Sequence, residues 1–195
     1  PPLSARRQRQ MCIRDRDMVL PRGGIQAYPN LIADRIGRER IELSTPATPI
    51  DSTTLAIRGK KIKTDQVVVA HPQRETSDSM NSVWTVYFST PENSIKGNYI
   101  LLNGNYEVGK NAIAHIAVPS NIQPTYSPSG KSLVAVTIVG DAAIALDLYS
   151  DESIEKQARM ELRDLFENSD TWQTVEVFHT KNALPQSESQ SNASS

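Results

Sequence analysis

Four apolar, β-branched segments follow one another from residue 83: VWTVYFST (83–90), NYILLNG (98–104), NAIAHIAVP (111–119) and SLVAVTIVG (132–140). Alternation with a period of two marks half-buried strands. The stretches between them, STPENSIKGN, NGNYEVGKN and SNIQPTYSPSGK, are rich in Gly, Pro, Asn and Ser, the residues that reverse a chain. The succession predicts a substantial antiparallel sheet in the middle of the chain.

Helical signals flank it. Residues 151–167 carry an apolar stripe at Ile154, Ala158, Leu162, Leu165 and Phe166, with Ser150 or Asp151 as cap and acids Asp151 and Glu152 in the first turn. WQTVEVFHT (172–180) reads as a last strand. Upstream, Ile25, Tyr28, Leu31, Ile32 and Ile36 predict a helix over 25–37, with Pro29 early and Gly37 at its close. RIELSTPATPIDS (40–52) reads as a strand with a proline-marked irregularity. TLAIRGKKIKTDQVVVA (54–70) reads as a hairpin turning at GKK. Its final run, Val67 to Ala70, suits a strand covered on both faces. The order predicts an α/β or α+β chain without internal repeats.

Several chemistries are excluded. The 195 residues carry a net charge of −1, so no basic field draws nucleic acid. No apolar run approaches the roughly 20 residues of a membrane span, and no secretory signal is visible, so a soluble cytoplasmic protein is expected. The single cysteine, Cys12, allows no disulfide framework or cysteine-based zinc site. His71, His115 and His179 lie outside metal-ligand spacing, and no metal is expected. SPSGKS (127–132) ends like a phosphate loop, but Thr125 stands where the leading glycine belongs and a strand follows instead of a helix. Gly23 and Gly24 precede a helix without the spaced glycines of a dinucleotide fingerprint. No catalytic constellation emerges, and the catalytic residues are unassigned.

The ends differ from the rest. PPLSARRQRQMCIRDR (1–16) is cationic and without periodicity. Part of it, RQRQMCIRDR, resembles translated sequencing-adaptor text, and the segment is set aside as a non-native or disordered tail. QSESQSNASS at the other end is polar and of low complexity.

The order of motifs is informative as a whole. PRGGIQAYPNLIADRIGRERIELSTPATPID followed by IRGKKIKTDQVVVAHP resembles the middle of the flavin-containing amine oxidase and phytoene desaturase superfamily. There a Pro-x-Gly-Gly turn starts a helix that ends at a glycine, an I-x-L-x-T-P strand follows, and a hairpin leads to A-D-x-V-V-V-A-x-P. Pro21, Gly23, Gly24, Gly37, Ile41, Leu43, Thr45, Pro46, Ile50, Asp65 and Val67 to Ala70 occupy those places. VYFSTPENSIKGNYILLNG, IAHIAVPSNIQPTYSPSGKSLVAVTIVG and TWQTVEVFHTKNALPQ look like the later half of flavoproteins in the same superfamily, so the resemblance runs over residues 18–186.

The resemblance implies a Rossmann-like FAD-binding domain interrupted by a substrate domain with its own antiparallel sheet. It divides the chain into a partial FAD-binding domain (17–72), a substrate domain (73–170), a strand returning toward the FAD domain (171–186) and a disordered end (187–195). It implies FAD as cofactor, backbone contact to adenine at Ala47, a substrate-pocket wall at Gln26, and hydride transfer from a C–N or C–C bond of a small molecule to the flavin. It also places a G-x-G-x-x-G turn well upstream and a Gly-Asp flavin contact shortly after ALPQ, and neither stands at those places in this sequence. The expectation is an internal fragment of an FAD-dependent oxidoreductase, inactive alone. The alternative is a non-catalytic β-rich binding or structural module.

Overall fold

A computed structural model describes residues 11–13, 18–70, 80–92 and 94–185. The chain divides into two compact units, one of residues Ile25–Thr76 and one of Pro1–Gly24 with Ser77–Ser195.

The larger unit is built on a six-stranded antiparallel sheet in the order β1-β6-β7-β8-β5-β9. The strands are β1 (Met11–Ile13), β5 (Met80–Pro91), β6 (Leu101–Asn103), β7 (Ile113–Ala117), β8 (Lys131–Val139) and β9 (Gln173–Pro185). Apart from β1, these are the strands the sequence predicted, with β5 starting earlier at Met80, β6 confined to Leu101–Asn103 and β9 running on to Pro185. Met11–Ile13 lies within the segment set aside on composition, yet its backbone pairs with Leu101–Asn103. The calls on the remaining tail residues, and on His71, fall outside the described residues.

The register sorts side chains onto two faces. One row runs Leu101, Ile116, Val136, Val86 and Val177. Its first four members are buried, and the helix α4 (Asp151–Leu165) packs over this face with Ile154, Ala158 and Leu162. Trp84, Phe88, Val134 and Ile138 complete the same core. Each large side chain buried this way contributes about 1.5–3 kcal/mol, which makes this face the main source of stability.

The start of α4 follows from its sequence. Ser150 is the cap, accepting from the Ser153 amide (3.2 Å) while its own amide donates to Ser153 Oγ (3.1 Å). Two contacts fasten the helix to the sheet. Both carboxylate oxygens of Glu161 accept backbone amides at the start of β7, from Ala112 (2.7 Å) and Ile113 (3.0 Å). Arg159 lies over the Phe88 ring (5.1 Å) and donates to the Trp172 carbonyl (3.0 Å).

Two short helices escape alternation analysis: α2 (Pro119–Ile122) and α3 (Gly140–Ala145). Gly140 opens α3 where the chain crosses Ser82, and a Cβ there would lie 2.8 Å from the Ser82 carbonyl oxygen. SPSGKS is a turn feeding β8, as its surroundings predicted.

The smaller unit holds α1 (Ala27–Ile36) and a three-stranded meander of β2 (Ala47–Asp51), β3 (Thr54–Ile57) and β4 (Lys60–Lys63). Gly37 ends α1 by donating its amide to the Ala33 carbonyl (3.0 Å). Three local readings need correction. The strand read over 40–52 is confined to Ala47–Asp51; Arg38–Arg40 form a 3-10 turn, and Ser44 has a positive φ of 54°, which breaks an extended run. The hairpin turns at Arg58 and Gly59 (φ 49° and 78°), leaving Lys60 and Lys61 in β4. Val67 to Ala70 forms no strand, and Val68 is 74% exposed. β-branched residues become a strand only when a neighbour accepts their hydrogen bonds, and among the described residues this run gains one, from the Val67 amide to the Ser52 carbonyl (2.7 Å).

Candidate functional site

Pro21–Gly24 form a turn closed by the Gly24 amide donating to the Pro21 carbonyl (3.0 Å). Gly24 sits at φ +78°, a conformation natural only to glycine. The same Pro21 carbonyl accepts the Tyr126 hydroxyl (2.8 Å), and the Arg22 carbonyl accepts Thr125 Oγ1 (3.2 Å). The glycines therefore shape a backbone turn tied to the 3-10 segment Pro124–Tyr126. They are not the first turn of a helix, because α1 begins at Ala27.

Gln26 stands at the α1 N-cap position with its side chain exposed and making no capping bond. Ala47 is the first residue of β2, paired with Ile57 of β3. Because β2 is an edge strand, alternate backbone groups along it point away from β3 and are free to meet a ligand. Gln26 and Ala47 belong to the same unit but to different elements, and no hydrogen bond joins them.

That unit has an unusual surface. Among its described residues none is buried, and α1 exposes Tyr28, Leu31, Ile32 and Ile36. Leu43, Ile50 and Ile62 are exposed as well. Exposed apolar side chains in this number mark a candidate interaction surface.

In the larger unit, the second face of the sheet carries a different row: Leu102, His115, Thr137, Thr85 and Phe178, one from each of five adjacent strands. These positions are half-buried or exposed. Next to the row, Tyr87 meets Phe178 edge-on, with ring centroids 5.8 Å apart. Burial pushes the His115 imidazole below its usual pKa, so the ring is neutral at neutral pH and offers one donor and one acceptor. The strip therefore combines a neutral imidazole and two hydroxyls between apolar ends. It can orient a small organic molecule by hydrogen bonds without demanding a charge.

Sequence reasoning weighed His115 only for metal-ligand spacing, which does not tell which face it occupies. A shift of register occurs between Ile113 and His115. Strict alternation would put these two side chains on one face, but the bulge sends Ile113 into the core and His115 to the open side. His179 stacks on Trp84 at 3.8 Å, nearly parallel. Among the described residues, no group of three His, Cys, Asp or Glu side chains could hold a metal ion. No helix among them is long and apolar enough to cross a membrane.

Comparison with known proteins adds the context. A family model for flavin containing amine oxidoreductase matches residues 3–193. Among solved structures, reduced UDP-galactopyranose mutase superposes with a TM-score of 0.61 at 16% identity, covering 86% of this chain and 41% of that one. Wild-type putrescine oxidase bound to putrescine gives 0.56 at 16% identity, covering 84% and 41%. An oxidoreductase from Methanosarcina mazei gives 0.56 at 12% identity, covering 85% and 44%. The chain thus spans about two fifths of the length of the structures it matches, and at these identities the likeness is one of fold. No curated protein sequence matches significantly.

Proposed function

The chain belongs to the flavin-containing amine oxidoreductases, and from that premise we propose that it is the central part of an FAD-dependent oxidoreductase acting on a C–N or C–C bond of a small molecule. FAD is the cofactor of this family, and when bound it supplies the acceptor for the hydride. The residues present fit one end of such a cofactor. The free edge of β2 offers backbone groups at Ala47, which suits an adenine contact that does not depend on the side chain. They do not supply a grip on the diphosphate, since none of the nine glycines is spaced as G-x-G-x-x-G.

On this reading the chain's own residues act in binding and orientation. The strip of His115, Thr137 and Thr85 forms a wall of the substrate pocket and holds the substrate by hydrogen bonds, with Leu102 and Phe178 excluding water at its ends. Gln26, in the smaller unit, is a separate candidate contact for the substrate. The neutral His115 ring can donate to or accept from the substrate without adding a charge next to a bond that is losing hydride.

The observation that carries the proposal is the family match over residues 3–193, together with a small unit in which none of the described residues is buried. Flavin-domain segments of a longer polypeptide would cover that surface. The test is to purify both this chain and the polypeptide extended by the adjoining coding sequence, and to record flavin absorbance. The extended protein should retain FAD in equal amount to protein, and this chain should be colourless. An extended protein without flavin, or an upstream region that encodes no G-x-G-x-x-G turn, refutes the reading.

A further inference from the structure

A cleft of about 800 Å³ opens in the larger unit, away from the open sheet face, between the turn after β5, α2 and the turn into β8. Its size is that of a small-molecule site, and its lining mixes polar groups with the apolar surface of Pro124 and Pro128. Lys96 and Lys131 both line it, opposed by a single carboxylate, Glu92. Neither lysine is ion-paired among the described residues. Ser129, Asn121 and Thr125 add hydroxyl and amide groups to the wall.

The walls are fixed by bonds of their own. Asn121 Nδ2 donates to the carbonyls of Ile95 (2.8 Å) and Gly97 (2.9 Å), holding the Lys96 turn against α2. The Glu92 amide donates to the Gly130 carbonyl (3.2 Å), tying the same turn to the Lys131 side. Thr125 is bound to Arg22 on its far side. Such anchoring keeps the ordering cost of binding small. Two lysines sharing one concavity raise its positive potential, with Lys131 Nζ also lying 3.5 Å from Gln173 Oε1 outside the lining, and phosphoryl oxygens are what ammonium groups hold best.

We propose that this cleft binds the phosphoryl group of a small soluble molecule, with Lys96 and Lys131 as its charged contacts. The test uses the full chain and pyrophosphate as the probe, followed by amide NMR at constant ionic strength held with sodium chloride. Saturable shifts should be confined to residues 92–98 and 120–132. Lys96→Gln with Lys131→Gln should weaken binding about tenfold or more, while Lys60→Gln with Lys61→Gln, the same charge change on exposed β4, should leave it unaltered. Shifts scattered over lysines throughout the protein, or equal weakening by the β4 pair, overturn the proposal. So does co-sedimentation with phosphatidylcholine–phosphatidylglycerol vesicles that depends on Lys96 and Lys131, because the phosphate would then be a lipid headgroup. None of these readouts involves flavin, so the outcome is independent of the oxidoreductase reading.

Discussion

Replacing Glu161 by alanine removes the one side chain that satisfies the first two amides of the β7 segment. Ala112 and Ile113 are both 0% exposed, so their N–H groups gain no ready substitute when the carboxylate is gone. An orphaned buried donor costs about 1–3 kcal/mol, which gives about 2–6 kcal/mol for the pair. Glu161 itself is only half-buried, and water can reach part of the vacated space, so the lower half of that range, about 2–4 kcal/mol, is expected. Alanine is the better helix former, so helix propensity does not contribute to the loss. With a urea dependence of about 2 kcal/mol per molar, the midpoint should fall by about 1–2 M. Glu161→Gln keeps one acceptor and should lose roughly half as much. Gln157→Ala, which removes only the bond from Gln157 Nε2 to Glu161 (2.8 Å), should lose less than about 1 kcal/mol. The assay is urea unfolding followed by far-UV circular dichroism, with hydrogen exchange at Ala112 and Ile113. A Glu161→Ala midpoint within about 0.3 M of the parent, with both amides still protected, refutes the clamp.

Two further outcomes follow from other parts of the molecule. Leu31→Lys with Ile32→Lys on exposed α1 should alter the thermal stability of this chain by no more than about 0.5 kcal/mol and raise its solubility; in the extended polypeptide the same pair should lower flavin content, and a large loss of stability in this chain would show that the stripe is already packed. Glu155 is held below its usual value of 4.5 chiefly by the Thr174 hydroxyl and then by Arg159. A carboxylate depressed on folding adds stability that is complete above the unfolded value and lost as pH falls through the folded one. Glu155→Gln should therefore reduce stability at neutral pH, and the gap to the parent should narrow as pH falls below the usual value of 4.5 in urea titrations; a gap that stays constant with pH would contradict this role.

Much of the larger unit is written locally. β5, β8 and α4 carry unbroken alternation or a single apolar stripe, and their spans match the sequence reading closely. The capping serine was legible because Ser150 precedes two acids and a stripe. Other features depend on partners far along the chain. Tyr126 is 105 residues from Pro21, and nothing in either neighbourhood announces their bond. Val67 to Ala70 illustrates the converse, because its composition favours a strand and no neighbour completes it. For the candidate site, Gln26 and Ala47 came from resemblance alone, and the structure adds that both are exposed and that Ala47 lies on an edge strand. The His115 strip was hidden by one bulge, since a single inserted residue exchanges the faces that alternation assigns.

The strand order has a consequence for how the chain reaches this state. β5 supplies Trp84, Val86 and Phe88 to the core, yet Val83 bonds across to Val139 on one side and Thr180 on the other. A nascent polypeptide emerging from the ribosome must therefore carry this apolar strand unpaired past β6 and β7. Pairings so distant in sequence form slowly, and an uncovered strand invites association with other chains meanwhile. Synthesis has to pass β9 before β5 is flanked on both sides, which makes β9 the closing piece of this sheet.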